Sequence, residues 1–364
     1  MTCLLPTRPP RASPFARTLS ASAAAALLAG TASADVPRVA ADIAPVHSLV
    51  ARVMDGVGIP DLILPPGASP HEYSLRPSEA AALQEADLVF WVGADLTPWL
   101  KDAIGTLAED ARVTALLEAD GIDLLDLRED ALFEAHDHDH GHAGEHEHDH
   151  AEDATADDHD HDDHAHDADG HDEHAHDEHA HDEHGHDEHA HGAQDPHAWL
   201  SPDNAAIWLN AIAGALSAAD PENAGAYFAN AAAGREEMAA LRSEVDGMLG
   251  PVRDGRFIVF HDAYQYFESA FEIPAAGAIS LSDASEPGPA RVAEIQARIR
   301  AEGIDCVLAE PQYNPAMVAT VLDGTEAATG VLDPLGVGLE TGPGLYPDLI
   351  RGLARELAGC LATG

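Results

Sequence analysis

The chain has 364 residues, 45% of them apolar, which is enough to build buried cores, and its net charge is −47 at pH 7 with histidine counted as neutral. A field of that sign repels nucleic acid and anionic lipid and draws in cations, and no basic patch offers a nucleic-acid footprint. Setting aside the start and one long acidic run, about 270 residues are left to fold, which suggests two domains of ~100–150 residues each.

The N-terminus has the marks of an export signal. Arg8, Arg11 and Arg17 form a positive region, Thr18 to Gly30 is small and apolar, and Ala32-Ser33-Ala34 gives a small-residue cleavage site before Asp35. The apolar stretch is shorter than the ~20 residues a bilayer span needs, and Cys3 sits in no lipid-attachment motif. The expectation is cleavage near Ala34-Asp35 and release into the periplasm, with no other segment able to span a membrane.

Val39 to Ile43 reads as a short first strand. Pro45 and the apolar periodicity from His47 to Met54 predict a helix. Asp61 to Leu64 is a second strand, stopped by Pro65-Pro66-Gly67. The loop Ala68-Ser69-Pro70 leads to His71. Pro77-Ser78 opens a helix with Glu79 in its first turn, where the helix dipole favours an acid. Ala86 to Val92 is apolar without strict alternation, as suits a strand covered on both faces. Trp99 to Leu107 and Arg112 to Leu117 predict a helix and a short strand. This alternation of strand and helix is the pattern of a parallel α/β sheet.

From His136 to His191 the chain is almost entirely His, Asp, Glu, Ala and Gly, ending in a five-residue repeat that begins at His171-Asp172-Glu173-His174-Ala175. This run carries 20 of the 24 histidines and 22 acidic residues, with no Lys or Arg. Lacking apolar residues, it cannot bury a core and is expected to be disordered.

Structure is predicted to return at Asp195-Pro196-His197. Ser201 caps a helix through Leu216, and Pro221 sits in the first turn of a long helical stretch reaching Leu249, with Gly250-Pro251 as its stop. At ~30 residues and ~45 Å such a helix could join two lobes. A second α/β cycle follows, with strands at Phe257 to Phe260 (ending at His261), Gly277 to Leu281, Cys306 to Ala309 and Val331-Leu332. Helices are predicted over Pro289 to Ala301, Pro315 to Ala328 and Tyr346 to Leu361. The expected organisation is an export signal at 1–34, a first lobe at 35–135, the acidic run at 136–194, the remainder of the first lobe at 195–219, a connecting helix at 220–250 and a second lobe at 251–364.

The four histidines outside the run are His47, His71, His197 and His261. His71 and His197 lie in loops, His261 ends a strand, and Asp333 ends another. Ligands of open parallel sheets bind beyond the carboxyl ends of the strands, so two facing lobes would bring these groups together. Three imidazoles and one oxygen make a tetrahedral zinc site. Taken singly, each histidine could be a surface or hydrogen-bonding group, Asp333 before Pro334 is also a turn former, and Glu310 could be structural or stand behind a ligand without touching the metal. His47, inside a first helical turn, reads as a cap or lobe-surface residue. After cleavage Cys306 and Cys360 remain. In an oxidising compartment they could bond, closing a loop of about 55 residues, or stay as two buried thiols.

The segments His71-Glu72-Tyr73-Ser74-Leu75-Arg76-Pro77-Ser78, Asp195-Pro196-His197-Ala198-Trp199-Leu200-Ser201-Pro202 and Phe260-His261-Asp262-Ala263-Tyr264 resemble those of the zinc-binding subunit of bacterial zinc ABC importers, the ZnuA family. Glu310-Pro311-Gln312 and Asp333-Pro334-Leu335-Gly336 add to the match. The resemblance implies an α/β fold of two lobes with parallel sheets, joined by a long rigid helix, with metal between them. It implies zinc ligation by His71, His197 and His261, a Cys306–Cys360 disulfide, and a monomer that delivers zinc to a membrane permease, with a periplasmic zinc metallochaperone as a further partner. Related manganese binders have a glutamate at the third position; His261 favours zinc, since carboxylate oxygens suit manganese better. Some zinc members place an acid just before the first histidine, where this chain has Pro70, so the fourth ligand is open: Asp333 is the first choice and water the second.

Unperturbed histidine, with a pKa of about 6.5, is mostly uncharged near neutral pH, so the run is expected to collect zinc for the cleft. A purely solvating acidic linker is the plainer alternative. Competing functions are a periplasmic zinc buffer or chaperone without a transporter, a manganese-binding relative, and a zinc hydrolase. The hydrolase lacks support, because no His-Glu-x-x-His helix and no clearly placed base are present.

Overall fold

The computed structural model describes residues 36–128, 133, 194–280 and 287–363. The export segment, most of the acidic run and Leu281 lie outside the described residues. Two four-stranded sheets, all of whose pairings are parallel, organise the rest.

The first sheet contains β1 (Val39–Ala41), β2 (Asp61–Leu62), β3 (Leu88–Trp91) and β4 (Arg112–Ala115) in the order β2-β1-β3-β4. Helices α1 (Ala44–Val53), α2 (Pro77–Glu85) and α3 (Pro98–Leu107) connect these strands. The second sheet repeats the arrangement with β5 (Phe257–His261), β6 (Gly277–Ser280), β7 (Cys306–Ala309) and β8 (Ala328–Val331) in the order β6-β5-β7-β8. Its connections are α6 (Gln265–Phe271), α7 (Pro289–Glu302) and α8 (Pro315–Leu322). Central strands β3 and β5 are buried along their whole length, as expected where helices cover both faces.

Helices α4 (Pro202–Ala219), α5 (Ala224–Leu249) and α9 (Leu345–Leu361) join the two halves. The Ser201 hydroxyl accepts from Asn204 N–H at the start of α4, satisfying one of the orphan donors of a helix start. Gly234 lets α5 approach α4, since a Cβ there would meet the Leu209 side chain at 2.9 Å. Arg52 of α1 pairs with Glu237 of α5 at 2.8 Å, and Arg351 of α9 pairs with Glu244 of α5 at 2.8 Å. One helix therefore touches elements of both lobes. Tyr346 N–H donates to the Ser48 hydroxyl at 2.9 Å, fixing the start of α9 on α1. Cys306 on β7 and Cys360 on α9 form a disulfide, with Cα atoms 5.9 Å apart.

Four details differ from expectation. Helix α5 starts at Ala224 rather than Pro221, because Asp220 accepts from Asn223 N–H and from the Tyr227 hydroxyl and holds the preceding residues in a turn. Helix α8 ends at Leu322, just before Gly324 adopts φ +70°, and the last strand is Ala328–Val331 rather than Val331-Leu332. His47 is not a surface residue: it is 6% exposed on α1, its Nε2 lies 3.0 Å from the Pro60 carbonyl, and burial lowers its pKa.

Candidate metal centre

His261 is the last residue of β5, and Glu310 directly follows β7, the neighbouring strand. In the order β6-β5-β7-β8, β5 and β7 flank the point where the connections reverse direction, and their carboxyl ends open a crevice there. Glu310, 4% exposed, sits with Oε1 2.6 Å from His261 Nδ1. The carboxylate accepts, so Nδ1 carries the proton and Nε2 keeps its lone pair for a ligand.

The first lobe builds an equivalent pair from a short motif. In Asp195-Pro196-His197, Asp195 Oδ1 accepts from the His197 backbone N–H at 2.9 Å and lies 2.6 Å from its Nδ1. Asp195 is 1% exposed and His197 6%, and His197 Nε2 is buried with no hydrogen-bond partner among the described residues. A buried imidazole nitrogen left this way is costly unless something fills the position. Trp199, 5.3 Å from His197 between ring centroids, donates its indole N–H to the Pro334 carbonyl at 2.8 Å and so packs this segment on the second lobe.

His71 is half-buried and comes from the loop between β2 and α2. Trp99 Nε1 donates to the Pro70 carbonyl at 2.7 Å, and Tyr73 packs edge-on to Trp99 at 5.5 Å. Glu79 accepts from the Tyr73 hydroxyl at 2.9 Å and from the Arg76 N–H at 2.7 Å. The same acid thus caps α2 and braces the loop ahead of it.

These segments bring His71, His197 and His261 together. Ring centroids are 5.6 Å apart for His71 and His197 and 5.5 Å for His197 and His261. One potential ligand atom from each of the three lies within 4.8 Å of the others. Three nitrogens on one tetrahedral zinc would be roughly 3.3–3.4 Å apart, from Zn–N bonds of ~2.0–2.1 Å, so the set is within a small contraction of sharing an ion. The donors are all imidazole nitrogens, and two are backed by carboxylates, a combination that orients the rings and raises their basicity toward a metal.

Asp333 does not belong to that group of ligand atoms. Its oxygens accept from the backbone N–H groups of Leu335 at 3.1 Å, Gly336 at 2.9 Å and Val337 at 2.6 Å, which shapes the turn that seats Pro334 against Trp199. His47 is elsewhere in the first lobe. The role of Asp195 was missed in the sequence, although an acid two residues before a loop histidine was there to be read. Glu310 was legible as either a structural residue or one standing behind a ligand, and its contact with His261 Nδ1 fits the second of these. Beside His261, Asp262 is 4% exposed, and burial holds its carboxyl up at about 6 despite the neighbouring Arg128 guanidinium.

Comparison with known proteins bears on this arrangement. A family profile described as "ZnuA: Zinc-uptake complex component A periplasmic" matches residues 39–360. The chain is 49% identical over 324 residues to the "High-affinity zinc uptake system protein ZnuA" of Brucella suis, covering 89% of this chain and 91% of that one. It is 47% identical over 333 residues to the protein so named in Paracoccus denitrificans, covering 91% and 94%. Among solved structures, a ZnuA crystal structure superposes with a TM-score of 0.65 at 21% identity, covering 90% and 99% of the two chains. A zinc-bound ZnuA deletion mutant gives 0.63 at 20%, covering 90% and 98%. At these identities the likeness of the solved structures is one of fold.

Proposed function

This chain belongs to the ZnuA family of periplasmic zinc-uptake components, and from that premise we propose that it binds one Zn2+ through His71, His197 and His261 and hands it to the membrane permease of an ABC importer. The observation that carries the reading is the convergence of three imidazoles from separate chain segments, two of them braced by buried carboxylates. All three donors are nitrogens, which favours zinc over manganese, whose sites are richer in oxygen. Water completes the coordination in this reading, because the Asp333 carboxylate is occupied by backbone donors. Zinc here is cargo: the protein performs no chemistry on it and has to release it.

The division of the chain follows the same logic. Residues 1–34 direct export to the periplasm and are removed, lobes at 35–135 with 195–219 and at 251–364 hold the ion, and 220–250 joins them. Residues 136–194 collect zinc by offering many weak, overlapping imidazole and carboxylate sites. In the periplasm the mature chain works as a monomer, and the alternative of a zinc buffer without a transporter differs only in lacking the permease.

Zinc titration against a competing chelator tests this reading. Deleting His136 to His191 is expected to lower the number of ions bound and leave one tight site, whereas His71→Ala or His261→Ala in the full mature chain removes the tight site. Loss of tight binding with the run, or its survival in both histidine variants, would refute the proposal. Delivery is tested by zinc uptake in cells at scarce zinc, which is expected to fall when the chain is absent and to recover with the unaltered protein but not with His261→Ala.

A further inference from the structure

We propose that Arg128 is a positioning residue for the three-histidine cluster: it ties the segment carrying His197 to the segment carrying His261 and so sets how tightly zinc is held. The proposal rests on the zinc-site reading above and adds a residue that touches neither the metal nor its ligands.

The connection can be followed bond by bond. The carboxylate that holds His197 belongs to Asp195, whose backbone N–H donates to the Leu125 carbonyl at 2.8 Å. The next residue, Asp126, forms an isolated antiparallel bridge with Gln194, and two residues further on is Arg128. Its guanidinium donates to Asp262 Oδ1 at 2.9 Å, and Asp262 is bonded directly to His261. It also forks onto Glu268 of α6, at 3.2 Å to Oε1 and 2.7 Å to Oε2. Glu268 Oε2 in turn accepts from Ala275 N–H at 3.0 Å, which holds the carboxylate from its other side.

Helix α6 grips the same segment at two more points. The Tyr266 hydroxyl donates to the Asp195 carbonyl at 2.9 Å and accepts from Leu125 N–H at 3.0 Å. The Gln265 amide, turned to satisfy its surroundings, donates to the Asp126 carbonyl and to Asp195 Oδ2, each at 3.2 Å. All of these contacts run between the chain on either side of the acidic run and the second lobe.

Asp262 and Glu268 are each only 4% exposed, and among the described residues Arg128 is the cation that pairs with both. Two buried carboxylates side by side need a counter-charge. A planar guanidinium can reach both at once, which a lysine ammonium cannot reproduce. The Arg128 Cζ also lies 3.9 Å from the Phe133 ring centroid, a cation–π contact that fixes the side chain from a third direction. Metal affinity depends on how firmly the donors are held at the geometry the ion requires. His197 and His261 come from different lobes, and the Arg128 clasp stiffens the distance between them.

The test is zinc affinity by chelator competition, with the Co2+ absorption spectrum as a second readout, in the full mature chain. Arg128→Ala is expected to weaken the tight site by about ten-fold or more while still binding one tight ion, and to alter the cobalt band shape. Arg128→Lys is expected to recover part of that loss. Tyr266→Phe, a milder change, is expected to weaken binding by roughly three- to ten-fold. Arg52→Ala removes the Arg52–Glu237 pair between α1 and α5, and is expected to lower thermal stability and leave affinity within about two-fold. Affinities within about two-fold of the unaltered protein in Arg128→Ala and Tyr266→Phe, with an unchanged cobalt spectrum, would overturn the proposal. If Arg128→Ala does not fold, Arg128→Lys and Tyr266→Phe decide by the same criterion. Should His71→Ala and His261→Ala also leave affinity unchanged, the zinc-site reading itself fails; if they abolish it while the Arg128 and Tyr266 variants do not, only the positioning role is lost.

Discussion

A carboxylate on one imidazole nitrogen orients the ring and makes the other nitrogen a stronger donor toward a metal. His197 and His261 each have Nδ1 2.6 Å from a buried carboxylate oxygen, on Asp195 and Glu310 respectively. His47 instead has its Nε2 against a backbone carbonyl inside a helix-packed core. Asp195→Asn and Glu310→Gln preserve shape and remove the negative charge that makes the imidazoles stronger donors. Each is expected to lower zinc affinity by ~10–100-fold with one tight ion still bound, and chelator competition measures it; unchanged affinity in both would mean that the carboxylates only pack. Asp42 offers a separate test of burial. It accepts from Val92 N–H at 2.7 Å and Ile43 N–H at 2.8 Å, yet burial raises its pKa from 3.8 to about 7. Between those values the folded state keeps a proton that the unfolded state has released, so this group's contribution to stability falls as pH rises through that window. Asp42→Asn is expected to flatten that part of the pH dependence, read as the difference in Tm between the two metal-free proteins from pH 4 to 7.5. Parallel Tm curves would contradict it.

At the scale of elements, the alternation of apolar runs with helical periodicity was enough to read the parallel sheets, because buried parallel strands look like Leu88 to Trp91 or Phe257 to Phe260 wherever they occur. The position of His261 at a strand end was legible for the same reason. Helix α6 was not. It has only seven residues, follows closely on β5, and its apolar Tyr266, Phe267 and Phe271 span less than two turns, too few to show a period. The end of α8 differs because Gly324, one place past the C-cap Asp323, takes the left-handed backbone that stops a helix, a signal outweighed in the sequence by the alanines that follow it. The clasp of Arg128 on Asp262 and Glu268 joins residues 134 and 140 positions apart, and no local pattern could announce it. The Cys306–Cys360 disulfide ties β7 to α9, the helix whose first turn docks on the other lobe. Reducing it, or Cys306→Ala with Cys360→Ala, is expected to lower unfolding stability by roughly 4 kcal/mol for a loop of this length. Urea unfolding with and without reductant measures this, and a change under about 1 kcal/mol would show that the loop is already constrained without it.

For the molecule as a whole, two sheets of the same strand order face a shared cleft, and a 26-residue helix contacts both lobes along one side. Interlobe bonds such as Trp199 to Pro334, Tyr346 to Ser48 and Arg128 to Asp262 are numerous. These bonds hold the two lobes together around the cleft. The net charge of −47 supplies the long-range attraction for a cation, and in the proposed reading the imidazoles supply selectivity at short range. The most direct test is anomalous diffraction at the zinc edge from crystals of the zinc-loaded protein. The account predicts one strong peak in the cleft, within ~2.0–2.3 Å of a ring nitrogen from each of His71, His197 and His261. A peak bound by other residues, or His71 and His261 far apart with no metal between them in the zinc-loaded crystal, would contradict it.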